Sequence, residues 1–390
     1  MSLNKRPIIP YSKQYIDKKD IESVKKSLKQ KLITTGNSVR KFEKALAKKF
    51  NSTYAYTCVN ATAGLHLAYL SVNLKKNDVI VMPAINFIAA YRLADLMGAK
   101  IYLADVDPNS GQMTPESIEN CIKRNNLKKI KIILTMYLGG YPANNIDFFK
   151  IKKKYKCYLI EDACHAFGAM YAHNNKKYFV GSCKHSDLCV FSFHPVKPIT
   201  TGEGGAITTN NKIFAKKISL LRSHGIIRNK NYWEYDIKEL GFNYRLSDLN
   251  CSLGLSQLNK LNNFNLKRKN IFKIYKNKFS PIKKFVKIFE PTSDVNSYHL
   301  ILLSINFTKL NCSKNKIFNY LNKKNIFPQF HYKPIFNFTF YKKKEKNYFP
   351  GALSYFDRTI SLPAYFDLSE KNQNFIIKNI ISFVNDNKKN

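Results

Sequence analysis

Phe191-Ser-Phe-His-Pro-Val-Lys-Pro-Ile-Thr-Thr-Gly-Glu-Gly-Gly205 joins two short apolar runs, 188–193 and 205–209, that both read as β-strands. The loop between them holds a single lysine, Lys197, among hydroxyls, a histidine and a cluster of glycines. A lysine becomes a Schiff-base nucleophile when its ammonium is partly desolvated or lies near other positive charge, because both favour the neutral amine. Strand-end loops of an α/β sheet are where such groups collect. By composition alone Lys197 is one solvated lysine among many, and its neighbours in the fold have to single it out.

Two upstream stretches do so. Leu159-Ile-Glu-Asp-Ala-Cys-His-Ala-Phe-Gly168 ends an apolar strand over 157–161 in Glu161 and Asp162 and runs on to His165. A carboxylate at a buried strand end is costly unless it meets a cation or a donor. The protonated nitrogen of a pyridoxal ring would be such a partner; a helix N-cap at Asp162 accounts for the residue equally well. Asn60-Ala-Thr-Ala-Gly-Leu65 places small residues between a strand at 54–59 and a helix at 62–73. Free N–H groups at a helix start cradle a phosphate, and Thr62 adds a hydroxyl. Each signal is weak singly. A phosphate cradle, a strand-end aspartate and a loop lysine are together the three anchors that pyridoxal phosphate needs.

Around these stretches, from about residue 17 to 220, β-branched runs alternate with amphipathic stretches of helix length, which predicts an α/β fold. Further strands are expected at 79–82, 101–106 and 130–136, with helices over 87–97, from Pro115, and over 146–155. A first helix over 20–30 sets Ile21, Val24 and Leu28 on one face and Lys25, Lys26 and Lys29 on the other. After about residue 255 the chain changes to longer Lys-rich helices, isolated strands near 298–305 and 327–331, and a closing helix over 369–385. A large α/β domain over 1–255 and a smaller α+β domain over 256–390 are expected.

Composition bounds the function. Lys and Arg number 65 against 26 Asp and Glu, a net charge of +39, while 44% hydrophobic residues supply a core and rule out a disordered tail. The lysines are scattered from end to end, the pattern of an AT-rich coding bias. With no helix-turn-helix, finger or stacking-aromatic motif beside them, no nucleic-acid partner is expected, and a basic nucleic-acid-binding protein remains only a remote alternative. The apolar stretch 79–91 is broken by Pro83 and Asn86 and is too short to span a bilayer. Residues 1–13 have no apolar block of a leader, so a cytoplasmic protein without a membrane partner is expected. The eight cysteines form no Cys-x-x-Cys pair, which points to neither a disulfide framework nor a metal.

The motifs resemble the DegT/DnrJ-type sugar-nucleotide aminotransferases, pyridoxal phosphate enzymes of fold type I, the aspartate aminotransferase-like fold with a mostly parallel sheet. The likeness runs from Ile9-Pro-Tyr-Ser12 to about Pro363, and Ser-Phe-His-x-x-Lys-x-x-Thr-Thr-Gly-Glu-Gly-Gly is highly specific to it. By resemblance, Lys197 carries the cofactor and moves the proton, Asp162 pairs with the pyridine nitrogen, His165 lies beside the ring hydroxyl, and Phe87 stacks on the ring. Thr62 and Ser192 match phosphate ligands, with the backbone of Ala61 beside them. Gly241-Phe-Asn-Tyr-Arg245 resembles the segment whose asparagine reaches the neighbouring subunit's phosphate. Asn243 thus implies a homodimer with shared sites, and Arg245 is a substrate-side candidate.

Within the family the likeness is to enzymes that pass the amino group of L-glutamate to C4 of a UDP-linked 4-keto-6-deoxy-N-acetylhexosamine on the way to pseudaminic acid. Lys197-Pro-Ile-Thr-Thr201, Ser297-Tyr-His-Leu300 and Gln329-Phe-His-Tyr-Lys-Pro-Ile335 carry it, with His331 and Tyr332 as candidates facing the substrate or packed between domains. Perosamine-type, legionaminic-precursor and 3-keto aminotransferases share the cofactor motifs and remain alternatives. Asn86 stands where the family more often has Thr, and Gly64 where it usually has Ala.

Overall fold

The computed structural model describes residues 7–388 apart from 229, 232, 294 and 343–345. The first six residues, part of the stretch read as lacking a leader, lie outside the described residues. Seven strands form a central sheet: β1 (Tyr54–Cys58), β2 (Val79–Pro83), β3 (Lys100–Ala104), β4 (Ile132–Met136), β5 (Tyr158–Asp162), β6 (Leu188–Ser192) and β7 (Gly205–Thr209). Their order across the sheet is β1-β7-β6-β5-β4-β2-β3. Strand β7 runs antiparallel to both neighbours, with Gly205 opposite Cys58 on one side and Ser192 on the other. The other pairings are parallel. Strands β4 and β6 are buried along their whole length, as continuous apolar runs in a sheet covered on both faces should be.

Helices α1 (Lys18–Leu28), α2 (Asn37–Phe50), α3 (Ala61–Ser71), α4 (Pro115–Arg124), α5 (Asn145–Tyr155), α6 (Asp248–Leu258) and α7 (Leu261–Phe279) pack around it. The strand period of two splits the sheet residues between separate cores. Ile160, Val190 and Ile207 join Leu65 and Leu67 of α3, whereas Leu159 joins Ile118 of α4 and Phe148 of α5. Phe191 and Ala206 join Phe42 and Phe50 of α2. Helix α3 lies so close to the sheet that a methyl on Gly64 would come within 2.9 Å of Val190 Cγ1.

The expected α/β alternation is present, with three differences that have physical causes. Helix α2 has no local start signal because its cap is tertiary: the Asp248 carboxylate on α6 accepts from the N–H groups of Gly36 (2.6 Å), Ser38 (2.7 Å) and Val39 (3.3 Å). The expected strand at 298–305 narrows to Ile301–Ile305, because Ser297 and Leu300 hydrogen-bond instead to the carbonyls of Gly140 and Gly139. The expected strand at 327–331 is two residues long, Ile326–Phe327, paired in parallel with Ile9–Pro10. That pairing draws the N-terminal arm across and sets the Tyr11 and His331 rings 5.1 Å apart.

Helix α1 reverses the expectation from its amphipathic pattern. Ile21 and Leu28 are more than half exposed, and the buried positions are Asp20 and Ser27. The reason is polar stitching: Asp20 takes Lys260 Nζ (2.5 Å) and Gln257 Nε2 (2.7 Å), and Ser23 Oγ donates to the Ser252 carbonyl (2.8 Å). The apolar stripe is left facing outward, continued by exposed Ile16, Leu32 and Ile33.

The C-terminal part builds a second, antiparallel sheet of β8 (Val286–Ile288), β9 (Ile301–Ile305) and β10 (Thr359–Leu362). The expected division after residue 255 falls inside α6. No helix among the described residues is long and apolar enough to cross a membrane, and no cluster of His, Cys, Asp and Glu suited to a metal occurs among them.

Candidate active site

The carboxyl ends of the parallel strands and the start of antiparallel β7 meet at one edge of the sheet, where ligands of α/β folds bind. A cavity of about 480 Å³ opens there, and its walls include Thr62, Phe87, Asp162, His165, Ser192, Lys197, His331 and Tyr332. Residues scattered over 270 positions of chain thus converge. Ala61 lines it as well. Asn243 and Arg245 do not: Asn243 is exposed, on a backbone bridge to Ser223, and Arg245 is half-buried outside the cavity lining.

The Lys197 loop is a closed hairpin. Phe193 N–H donates to the Gly204 carbonyl (2.8 Å), Thr201 N–H to the Phe193 carbonyl (3.0 Å) and Lys197 N–H to the His194 carbonyl (2.8 Å). Lys197 is thereby held at the cavity wall opposite the end of β5. Burial lowers the pKa of its ammonium, against the opposing pull of Cys164 and Asp162. A lysine so placed has a larger share of neutral amine than a solvated one, as a nucleophile requires.

Asp162 ends β5 on the same sheet face as Ile160 and is buried. Burial raises its carboxyl pKa, while Cys164, Lys197 and Asn86 pull it back down. The Cys164 N–H reaches Oδ1 at 3.2 Å. A buried carboxylate with a lysine ammonium and few donors about it retains capacity for one more cation.

The start of α3 has backbone donors left over that suit an anion. Asn60 caps the helix by accepting from Ala63 N–H (2.8 Å), and its carbonyl takes Gly64 N–H (3.1 Å), which leaves the Ala61 and Thr62 N–H groups over. Gly205 keeps this corner open, because a Cβ there would lie 2.8 Å from Ala61 N. Ser192 ends β6 beside it with its Oγ accepting weakly from His194 N–H (3.4 Å).

On the far wall Gly139 N–H donates to His165 Nδ1 (3.2 Å), so the proton of the neutral ring sits on Nε2 and points at Tyr332 Oη (2.9 Å). Burial, with the charge of Lys197 and the neighbouring His331, holds His165 well below its usual pKa and therefore neutral. The Tyr332 hydroxyl, accepting from His165, keeps its own proton free to donate. His331 is pushed down to about 3 by burial and Lys197, and its Nδ1 meets Ser361 Oγ at 2.8 Å. Phe87 is 53% exposed over the cavity mouth, its ring 5.8 Å from that of Tyr332.

A phosphate cradle, a buried anion and a hindered lysine amine around one cavity fit a phosphorylated pyridine aldehyde. Several contributors had not been assigned a role from sequence: the cap Asn60, the Gly139 N–H, Tyr11, Cys164 and Glu203. Asn60 carried a signal, being an N-cap residue type before a helix. Gly139 and Cys164 carried none, because their roles depend on what the fold brings opposite them.

The model of the DegT/DnrJ/EryC1/StrS aminotransferase family matches residues 14–381. The UDP-4-amino-4,6-dideoxy-N-acetyl-beta-L-altrosamine transaminase of Campylobacter jejuni subsp. jejuni serotype O:23/36 (strain 81-176) is 37% identical over 383 residues, 98% of this chain and 99% of the relative. Among solved structures, Helicobacter pylori PseC, an aminotransferase involved in the biosynthesis of pseudoaminic acid, superposes with a TM-score of 0.87 at 27% identity, covering 97% of this chain and all of that one. The PLP-form of Spr1654 from Streptococcus pneumoniae gives 0.89 at 25% identity, covering 98% and 100%. This chain belongs to the DegT/DnrJ/EryC1/StrS aminotransferase family.

Proposed function

We propose that the protein is a pyridoxal phosphate-dependent aminotransferase that moves the amino group of L-glutamate to C4 of a UDP-linked 4-keto-6-deoxy-N-acetylhexosamine, in pseudaminic acid or related surface-glycan synthesis. The observation that carries this is the cavity joining Lys197, Asp162 and the α3 start in a chain 37% identical, over almost its whole length, to a transaminase of that sugar class. The cofactor, when bound, carries the amino group and accepts the electron pair released at carbon.

The chain's own groups do the rest. The N–H groups of Ala61 and Thr62 with Ser192 bind the phosphate, and Phe87 covers the ring. Asp162 holds a proton at the pyridine nitrogen. Lys197 Nζ would accept the proton from the donor's α-carbon and hand it to the cofactor's aldehyde-derived carbon, and in the second half reaction would take a proton from there and deliver it to C4 of the sugar. Tyr332 and His331 face the substrate, with the free Tyr332 proton suited to a sugar oxygen. One site serves both half reactions in turn, so ping-pong kinetics follow.

The assembly is a homodimer with shared sites. Two features support it: Asn243 is exposed where a second subunit could receive it, and the apolar stripe of α1 is uncovered in a single chain. Arg245 would act on the substrate from the same segment. The reaction is assigned to the cytoplasm, where nucleotide sugars and glutamate are supplied.

The test is the visible spectrum of the purified protein with its cofactor. L-glutamate should bleach the yellow band, and the UDP-linked 4-keto sugar should restore it and appear as the 4-amino product. A band unmoved by glutamate would overturn the assignment, and restoration only by a GDP-linked or 3-keto sugar would overturn the substrate.

A further inference from the structure

Asn86 is buried in the loop after β2, and no chemistry above uses it. Its Oδ1 accepts from Phe87 N–H at 2.6 Å. That bond fixes which end of the amide is oxygen, so Nδ2 points the other way. Nδ2 makes no close hydrogen bond among the described residues, and the Asp162 carboxyl is the charged group that this side chain acts on, helping to hold its pKa down against burial. An amide donor buried without a partner is expensive unless something charged stands in front of it.

We propose that Asn86 is a positioning residue that clamps Asp162: Nδ2 donates to the carboxylate while Oδ1 pins the backbone of Phe87. One side chain thus sets both the anion that faces the cofactor's pyridine nitrogen and the residue that covers the ring. This rests on Asp162 being that anion. The other groups facing Asp162 are Cys164 on its own loop, Lys197 on the β6–β7 loop, Tyr69 on α3 and Tyr332 from the C-terminal part. Of these Lys197 is engaged with the cofactor, and the tyrosine hydroxyls are neutral. Asn86 and Cys164 are therefore the donors left to keep Asp162 ionised.

The test compares the holoenzyme with Asn86→Leu and Asn86→Asp, using Asp162→Asn as a reference. Two readouts are needed: the cofactor dissociation constant by fluorescence titration, and the pH at which bound visible absorbance is lost on gel filtration. Removing the amide should weaken cofactor binding roughly tenfold, the scale of one hydrogen bond to a charge. It raises the pKa of Asp162, so cofactor loss on acidification should begin at higher pH. Asn86→Asp keeps the Phe87 contact but sets like charges together, and should bind more weakly still. An unchanged dissociation constant and acid limb in both Asn86 variants, with Asp162→Asn strongly shifted, would overturn the clamp alone. An unshifted Asp162→Asn would overturn the clamp and the role of Asp162 together.

Discussion

Glu161 and Asp162 are neighbours at the end of β5, both buried, and they face opposite sides of one sheet. Glu161 is enclosed by donors: Tyr137 Oη at 2.5 Å, Ser186 Oγ at 3.0 Å and Asn145 Nδ2 at 3.5 Å. Asp162 opens on the cavity with a backbone N–H, the Lys197 charge and a neighbouring amide. A buried carboxylate whose partners are all protein holds structure together. One whose partners stop short is a place for a ligand. The side of the sheet, set by a period of two, decides which is which.

The largest effect that sharpens this contrast comes from the cavity side. Lys197→Ala should cut turnover about 10⁴-fold, the loss expected for the group that moves the proton; stopped assays with glutamate read it, and retained turnover would remove the basis of the mechanism. Asp162→Ala should lower turnover about 10²- to 10³-fold. The thermal midpoint of the cofactor-free chain should hold or rise, because a desolvated charge is removed. Glu161→Ala should do the reverse, costing about 1–3 kcal/mol through donors left unpaired while the cavity groups stay intact. Denaturant melts of both variants compare the two sides, and equal stability losses would break the contrast.

Smaller changes refine it. Gly205→Ala should weaken cofactor binding several-fold by intruding on the Ala61 N–H, read by titration of the cofactor-free protein. Glu161→Gln tests charge itself. Burial holds the Glu161 carboxyl above its ordinary 4.5 despite the bonds from Tyr137 and Ser186. A raised folded-state value favours the protonated form, so the wild type should lose stability relative to the variant as pH rises from about 4.5 through that value, and parallel curves would refute it. The least effect on a single chain is expected from Ile21→Lys with Leu28→Lys on α1, which should leave the fold intact yet shift sedimentation towards monomer.

Much of the site was legible. Lys197, Asp162 and the small residues after β1 each sit at a strand end, and strand ends of an α/β pattern converge by topology, so chain order alone foretold their meeting. The hairpin Met170–His173 and Lys176–Phe179 also has a local signal: its turn residues Asn174 and Asn175 both adopt the left-handed conformation that asparagine tolerates. Helix α2 was not legible, since Asp248, more than two hundred residues away, supplies its cap. The exposure of the α1 stripe was not legible for a similar reason. An amphipathic pattern tells that a face will be covered but not by what.

The residues by themselves determined the α/β class, the lysine loop and the family, because these rest on local periodicity and on a motif contiguous in the chain. Only the tertiary structure decided that Tyr137, Ser186 and Asn145 enclose Glu161, and that Gly139 fixes the His165 tautomer. Those outcomes depend on hydrogen-bond distances between segments far apart in sequence, and a bond to a buried group is made or lost within a fraction of an ångström.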